Sequence, residues 1–204
     1  VPPAFFQDLA DFCHAHNLLL MFDEVQTGLG RTGTLFAYQN PAIVPTGVVP
    51  DVMSIAKGLA NGLPMGALLA RGDVADLIQP GDHATTFGGG AVPCQAALAV
   101  LKQITPSVLS DVKRLGTLMR REIAGWTTEM PFIKDVRGEG FMIGIELDRS
   151  GAPAVPIALK KGLLINCTAD KMIRLLPPFV LTRAQAMRGL TILKSALKSL
   201  GGPS

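Results

Sequence analysis

The sequence has few cysteines, few aromatic residues and no long apolar run, and each shortage excludes a class of protein. The three cysteines, Cys13, Cys94 and Cys167, lie far apart without Cys-x-x-Cys spacing, which predicts buried thiols in a reducing cytosol. Aromatic residues make up only 5% of the chain, and its basic residues are scattered, unlike the basic stripe of a nucleic-acid binder. No apolar run approaches the roughly 18 residues of a membrane span. We therefore predict a cytoplasmic protein that binds neither nucleic acid nor membrane.

The composition is that of a chain that folds around a core. Of 204 residues, 48% are hydrophobic and 17% are charged, and the net charge is +3. Disorder is therefore not expected, and the length suits one large domain or two small ones. Because the composition shifts near residue 105, we predict two domains, residues 1–104 and residues 105–204.

Hydrophobic periodicity predicts an α/β fold. Short apolar runs over 18–22, 51–56 and 65–70 are typical of buried strands, as in a parallel sheet. Helical spacing appears over 4–16, over 91–130 with a break near Thr105-Pro106, and over 154–161. Further strands are predicted in FIKDV and FMIGIEL, followed by a strand-turn-strand in LLINCTADKMIRLLPP and a last helix over 182–200 ending at Gly201-Gly202-Pro203.

A glycine pattern, Gly28-x-Gly30-x-x-Gly33, follows the first apolar run and matches the motif of a dinucleotide-binding turn. Such a turn begins at the strand's end and opens a helix. Here the segment DEVQT separates the run from Gly28, and Pro41 and Pro45 make the following segment poor helix material. We therefore interpret the glycines as part of a mobile or tightly turned loop and not as a dinucleotide site.

Two charged residues directly follow apolar runs: Asp23 after the first and Lys57 after the second. A buried charge is costly, so each needs a partner or a function. The two could form a plain ion pair, or a ligand could lie between them. Pyridoxal phosphate requires both groups, a lysine for its aldehyde and a carboxylate for its ring nitrogen. The segment TTFGGG, residues 85–90, offers hydroxyl and N–H groups for a phosphate, but suits a plain turn and helix start equally.

The residues alone leave these alternatives open, and a resemblance decides between them. The stretches FDEVQTGLGRTGTLFAYQ, PDVMSIAKGLANGLPMGALLA and HATTFGGG resemble, in order and spacing, the class III pyridoxal-phosphate aminotransferases. VRGEGFMIGIEL and LLINCTADKMIRLLPP resemble the acetylornithine branch of that family. The resemblance implies a fold-type-I transferase, with part of the large, mostly parallel-sheet domain followed by the small α+β domain.

The resemblance also implies a role for each matching residue. Lys57 would hold the cofactor covalently and move a proton, Asp23 would pair with the ring nitrogen, and Gln26 would contact the ring hydroxyl side. Thr86 would reach the phosphate of a neighbouring subunit's cofactor, which implies a homodimer with shared sites. Arg174 would bind a substrate carboxylate, although a surface ion pair is its simplest interpretation without the family. Glu24 also matches the family motif; we assign it no chemical step and expect it only to orient the loop. No metal site is predicted.

The implied reaction moves an amino group from N2-acetylornithine to 2-oxoglutarate, giving N-acetylglutamate 5-semialdehyde and glutamate, a step of arginine biosynthesis. Members of the family are about twice as long, so we expect an N-terminal half to be missing and the chain alone to bind the cofactor poorly. Two alternatives remain: another ω-aminotransferase, acting on ornithine, succinylornithine or 4-aminobutyrate, and a non-catalytic fragment.

Overall fold

The computed structural model describes residues 2–201, which belong to two compact units, Val1–Leu109 and Ser110–Ser204. The identification of these units with the large and small domains of a transferase stays a prediction. No helix within residues 2–201 combines the length and the apolar character that crossing a membrane requires.

The first unit is built on a three-stranded sheet in the order β1-β2-β3. Strands β1 and β2 are parallel, whereas β2 and β3 are antiparallel, so the sheet is mixed. Its elements, in chain order, are α1 (Pro3–Ala15), β1 (Met21–Asp23), β2 (Val52–Ile55), β3 (Ala67–Ala70), α2 (Gly72–Ala75) and α3 (Ala91–Gln103). The periodicity predicted all of these except the short helix α2, and it placed the start of β1 too early.

Helix α1 and strand β1 share a small apolar cluster. Phe6 and Leu9 line one face of α1, as their helical spacing predicted, and pack with Cys13, Leu20 and Phe22. The helix ends before Asn17, which adopts a left-handed backbone conformation with φ +53°. This conformation is more accessible to asparagine than to most residues, so the chain turns there into β1.

The second unit is an antiparallel four-stranded sheet, in the order β4-β5-β7-β6, with helices packed against it. Its elements are α4 (Pro106–Ala124), which begins in the first unit, β4 (Ile133–Glu139), β5 (Met142–Leu147), α5 (Ala154–Lys160), β6 (Asn166–Thr168), β7 (Met172–Leu175) and α6 (Arg183–Lys198). Alternate residues of β5 are buried, and its inward-facing Ile143 and Ile145 join one core with Ile173, Leu190 and Leu193.

Local signals set the start of the last helix. The Thr182 hydroxyl accepts the N–H of Gln185, and the Gln185 side chain accepts the N–H of Thr182 at 2.9 Å, which is a capping box. These contacts satisfy N–H groups that the first helical turn leaves without partners, so α6 begins directly after Thr182. Gly202 and Pro203, predicted to follow this helix, lie outside the described residues.

A pH-dependent contact links α6 to the segment after α4. Hydrogen bonds from Lys194, at 2.7 Å, and from Lys198 lower the pKa of the Glu129 carboxyl from 4.5 to about 2. Because the folded-state pKa is depressed, this contribution to stability is present above pH 4.5 and is lost as the pH falls towards about 2. The pair is exposed, so the effect is small and screened by salt.

We therefore expect Glu129→Gln to lower the urea midpoint slightly near neutral pH, and the difference from wild type to shrink progressively once the pH falls below 4.5. Urea titrations of both proteins across this pH range, at low and high salt, measure the difference. A difference that grows on acidification would contradict the assignment.

Candidate active site

The structure places Asp23 and Lys57 at the same edge of the first sheet. Asp23 is the last residue of β1, and Lys57 follows the end of β2 at Ile55. The two strands are parallel neighbours, and Asp23 lies opposite Ser54 in the register. The carboxyl ends of parallel strands are the usual place for ligands in such sheets, so the carboxyl of Asp23 and the amine of Lys57 belong to a suitable edge.

Hydrogen bonds to its neighbours orient Asp23. Its Oδ1 accepts the backbone N–H of Val25 at 2.9 Å and the hydroxyl of Ser54 at 3.2 Å. Among the ion pairs of the described residues, none joins Asp23 to Lys57. The plain ion pair that the sequence left open is therefore not found.

Lys57 lies on a backbone that is unusual for a residue with a side chain. Its φ is +49°, in the left-handed region, and it opens the 3-10 turn Lys57–Ala60. Residues held in this region cost free energy and are concentrated at functional sites. The turn is fixed because Leu59 and Ala60 pack in one buried cluster with Ala97 of α3.

The expected burial of these two charges is not found within the chain, because Asp23 and Lys57 are both exposed. Their strands explain the difference. Strand β1 is a short outer strand, and Met21, two residues before Asp23, is 62% exposed. The central strand β2 is buried as predicted, yet Lys57 follows its end and lies in the exposed part of the next turn.

The loop that carries Thr86 is exposed, and a hydrogen bond from backbone to side chain closes its turn. The Thr85 hydroxyl accepts the N–H of Gly88 at 3.2 Å, and α3 begins just after the loop, at Ala91. A Cβ on Gly88 would lie 2.0 Å from Thr85 Cγ2, so a larger residue there requires the Thr85 side chain to rotate. Both predicted features, the turn and the helix start, are present.

Arg174 belongs to the second unit, where it lies on β7 and is half-buried. It pairs in register with Gly144 of β5 and Asn166 of β6. Residues opposite each other on neighbouring strands face the same side of a sheet. The Met172 side chain covers Gly144 on its neighbouring strand, where an added Cβ would lie 2.9 Å from Met172 Sδ.

The glycines of the first loop form turns rather than a dinucleotide site. Gly30 and Gly33 have φ values of +91° and +88°, which glycine adopts without steric cost. A Cβ on Gly28 would lie 2.8 Å from the Glu24 carbonyl oxygen, so glycine is also required there. No α-helix follows Gly33 before β2, which confirms the interpretation as a turned loop.

A family model described as "Aminotransferase class-III" matches residues 1–197. The chain belongs to the class III aminotransferases. It is 44% identical over 200 residues to the acetylornithine aminotransferase of Corynebacterium efficiens, a match that covers 98% of this chain and 48% of that protein. The chain thus spans about half the length of the curated relatives it matches.

Solved structures give the same family and confirm the predicted transferase fold. The acetylornithine aminotransferase of Elizabethkingia anophelis superposes with a TM-score of 0.87 at 31% identity, covering 97% of this chain and 50% of that one. An ornithine aminotransferase of Toxoplasma gondii, described with partial occupancy of pyridoxal phosphate at its active site, gives a TM-score of 0.86 at 29% identity, with 98% and 47% coverage. The class III family depends on pyridoxal phosphate.

The sequence analysis assigned no role to Ser54, and the structure gives it one. Its hydroxyl donates to Asp23 Oδ1, from the register position opposite. The sequence does contain a sign of this contact, because Ser54 is a polar residue within the otherwise apolar segment VMSI of a buried strand. A polar side chain at such a position needs a partner, and the neighbouring strand end was the place to look for one.

Proposed function

We propose that this chain is part of a pyridoxal-phosphate enzyme that transfers the amino group of N2-acetylornithine to 2-oxoglutarate. The observation that carries the proposal is the placement of Asp23 and Lys57 at neighbouring ends of two parallel strands, without an ion pair between them. The identity of 44% to an acetylornithine aminotransferase supports the choice of substrate.

The side chains at the candidate site fit the chemistry of pyridoxal phosphate. Asp23 is an acceptor whose orientation is fixed by Val25 and Ser54, as a partner of a protonated ring nitrogen requires. Lys57 supplies a primary amine on a turn that α3 holds in place. Thr85 and Thr86 supply hydroxyl groups ahead of α3, suited to a phosphate.

When bound, pyridoxal phosphate supplies an electron sink for the charge that develops as the substrate loses a proton. Asp23 would accept a hydrogen bond from the protonated ring nitrogen of the cofactor. Lys57 Nζ would hold the cofactor covalently through its aldehyde group and would move the proton of the substrate carbon that bears the reacting amino group, which is Cδ of N2-acetylornithine. Gln26 would contact the ring hydroxyl side, and Thr86 would bind phosphate across a dimer interface.

Arg174 orients the substrate by binding a carboxylate with its planar guanidinium. The donor loses its amino group and leaves as N-acetylglutamate 5-semialdehyde. The amino group is then delivered to 2-oxoglutarate, which leaves as glutamate. The donor thus loses one amino group, and 2-oxoglutarate gains it. Both molecules carry carboxylates, which a single arginine can bind in turn.

We also propose that the working enzyme is a cytoplasmic homodimer in which further residues, outside these 204, complete each pocket. The chain spans 48% of the Corynebacterium relative. Apolar side chains on the outer strands of the first sheet are exposed, with Met21 at 62% and Leu68 at 57%. Exposed apolar surface of this kind is typical of a face that another segment covers.

Borohydride trapping tests the proposal without relying on turnover. We expect the full-length protein that carries this chain, once loaded with pyridoxal phosphate, to show a visible absorption band that borohydride abolishes. Peptide mapping should then find the reduced cofactor mass on Lys57, and Lys102, on the exposed surface of α3, serves as the internal control. Labelling spread over several lysines, or no visible band, would contradict the proposal.

Ornithine is the second candidate donor, because the Toxoplasma ornithine aminotransferase shares the fold with a TM-score of 0.86. The two donors differ in the charge of the α-nitrogen, which is neutral when acetylated and cationic when free. Comparing kcat/KM for the two substrates on the full-length protein decides between them. A higher value for ornithine would replace the substrate proposed above.

A further inference from the structure

The residues that follow Asp23 form a loop with a buried carboxylate at its start. Glu24 is only 3% exposed, although it lies between the exposed Asp23 and the half-buried Val25. A carboxylate is almost never buried to this extent unless its oxygens are satisfied by donors. Its contacts therefore show what it does in the fold.

Both carboxylate oxygens of Glu24 accept hydrogen bonds from the loop. Oε1 accepts the backbone N–H of Tyr38 at 2.9 Å, and Oε2 accepts the hydroxyl of Thr27. The backbone of Glu24 is tied as well, because its N–H donates to the Ser54 carbonyl at 2.9 Å and its carbonyl accepts the N–H of Gly28 at 3.0 Å. One residue thus joins β2, the first turn of the loop and the loop's far end.

This clamp, formed by Glu24, Thr27 and Tyr38, lies directly beside the groups assigned to the cofactor ring. Val25, the next residue, donates the N–H that orients Asp23. Gln26 lies between Glu24 and Thr27, inside the turn that their side chains close. A shift of the loop at Glu24 would therefore move the donor to Asp23 and the position of Gln26 together.

We propose that Glu24 is a positioning residue, whose buried carboxylate holds Asp23 and Gln26 in the geometry that the cofactor ring requires. The inference rests on the proposed function, since it concerns the same site. Glu24 reaches the cofactor only through these two neighbours. Small misplacements of groups at a reacting centre are sufficient for large losses, so its removal should affect binding and rate as well as stability.

Three variants distinguish a positioning role of Glu24 from a role in the stability of the loop alone. Glu24→Ala removes both acceptors, whereas Glu24→Gln keeps the volume and one acceptor oxygen. Thr34→Val is the matched control, because Thr34 donates to the Phe36 carbonyl at 2.7 Å within the same loop and is not among the hydrogen-bond partners of the Glu24 carboxylate. Each variant is made in the full-length protein, with melting temperature measured alongside the functional readouts.

We expect Glu24→Ala to lower the affinity for pyridoxal phosphate by about 10- to 100-fold, and to lower kcat by about the same factor. The pH midpoint of the visible band should also shift, because Asp23 is less well held. Glu24→Gln should recover most of the affinity, and Thr34→Val should leave affinity and band unchanged even where it lowers the melting temperature. Equal losses for Glu24→Ala and Thr34→Val, or unchanged affinity in all three, would overturn the proposal.

Hydrogen exchange of the cofactor-free protein separates this inference from the proposed function. In Glu24→Ala, exchange in the peptide that contains Tyr38 should accelerate about tenfold or more, since the Tyr38 N–H loses its acceptor. Exchange of the Val25 N–H, which donates to Asp23, should accelerate as well because the loop that holds it is no longer anchored. If exchange accelerates but the wild type binds no pyridoxal phosphate, the clamp exists and both functional assignments are wrong. If the wild type binds the cofactor on Lys57 and exchange is unchanged, only the role of Glu24 is wrong.

Discussion

Replacing Lys57 by alanine is expected to lower kcat/KM for amino transfer by about 10⁴-fold in the full-length protein that carries this chain. The variant removes the nitrogen assigned both to hold the cofactor and to move the substrate proton. Steady-state formation of glutamate from N2-acetylornithine and 2-oxoglutarate measures the loss. Binding of the cofactor should fall less than the rate, because Asp23 and the phosphate loop remain.

Two further lysine variants show whether the loss belongs to this amine. Lys57→Arg keeps the positive charge, but a guanidinium stays protonated in proteins and cannot accept a proton, so we expect equal inactivity. Lys102→Ala, on the exposed surface of α3, should retain full activity. Activity of Lys57→Ala within tenfold of wild type would assign the chemistry to another residue.

Local patterns predicted much of the second unit. The apolar run FMIGIEL predicted β5, and the structure buries every second residue of that strand. The last helix was predicted over 182–200, and the structure begins it at Arg183, after a capping box that needs only Thr182 and Gln185, three residues apart. These elements depend on neighbours along the chain or on one apolar face, and such information is present in a short window of sequence.

Burial at the candidate site was not predicted, because it depends on surfaces that no local pattern describes. The run LLLMF predicted a strand covered on both faces, but Leu18 and Leu19 precede β1 and are about half exposed. The antiparallel pairing of β2 with β3 was likewise not predicted. Each strand can be predicted from its own residues, whereas direction and coverage are properties of the assembled sheet.

The motifs predicted which residues form the site and not how they are held. Asp23 and Lys57 were chosen because charges follow apolar runs, and the structure places them at neighbouring strand ends. The role of Glu24 depends on the N–H of Tyr38, which comes from the far end of a turned loop. No spacing rule predicts such a contact, so sequence reasoning could give Glu24 an orienting role in the loop without identifying the groups that it holds.

The second large effect is expected in the core of the second unit, where Gly116→Ala should destabilise the fold by about 3 kcal/mol. Helix α4 passes directly over the turn between β4 and β5. A Cβ on Gly116 would lie 2.0 Å from the Gly140 carbonyl oxygen and 2.8 Å from its Cα. These are backbone atoms, so relief requires the helix or the hairpin to move rather than a side chain to rotate.

Gly189→Ala is the matched control, because it makes the same change in a helix of the same unit. Its Cβ would meet only Leu163 Cδ1, at 3.6 Å, which is an ordinary contact. Alanine is the better helix former by about 1 kcal/mol, so this variant should be slightly more stable than wild type. Urea unfolding of both variants measures the difference. Opposite signs would show that contact with Gly140, and not helix propensity, requires glycine at 116, whereas equal effects would mean that α4 does not pack on this turn.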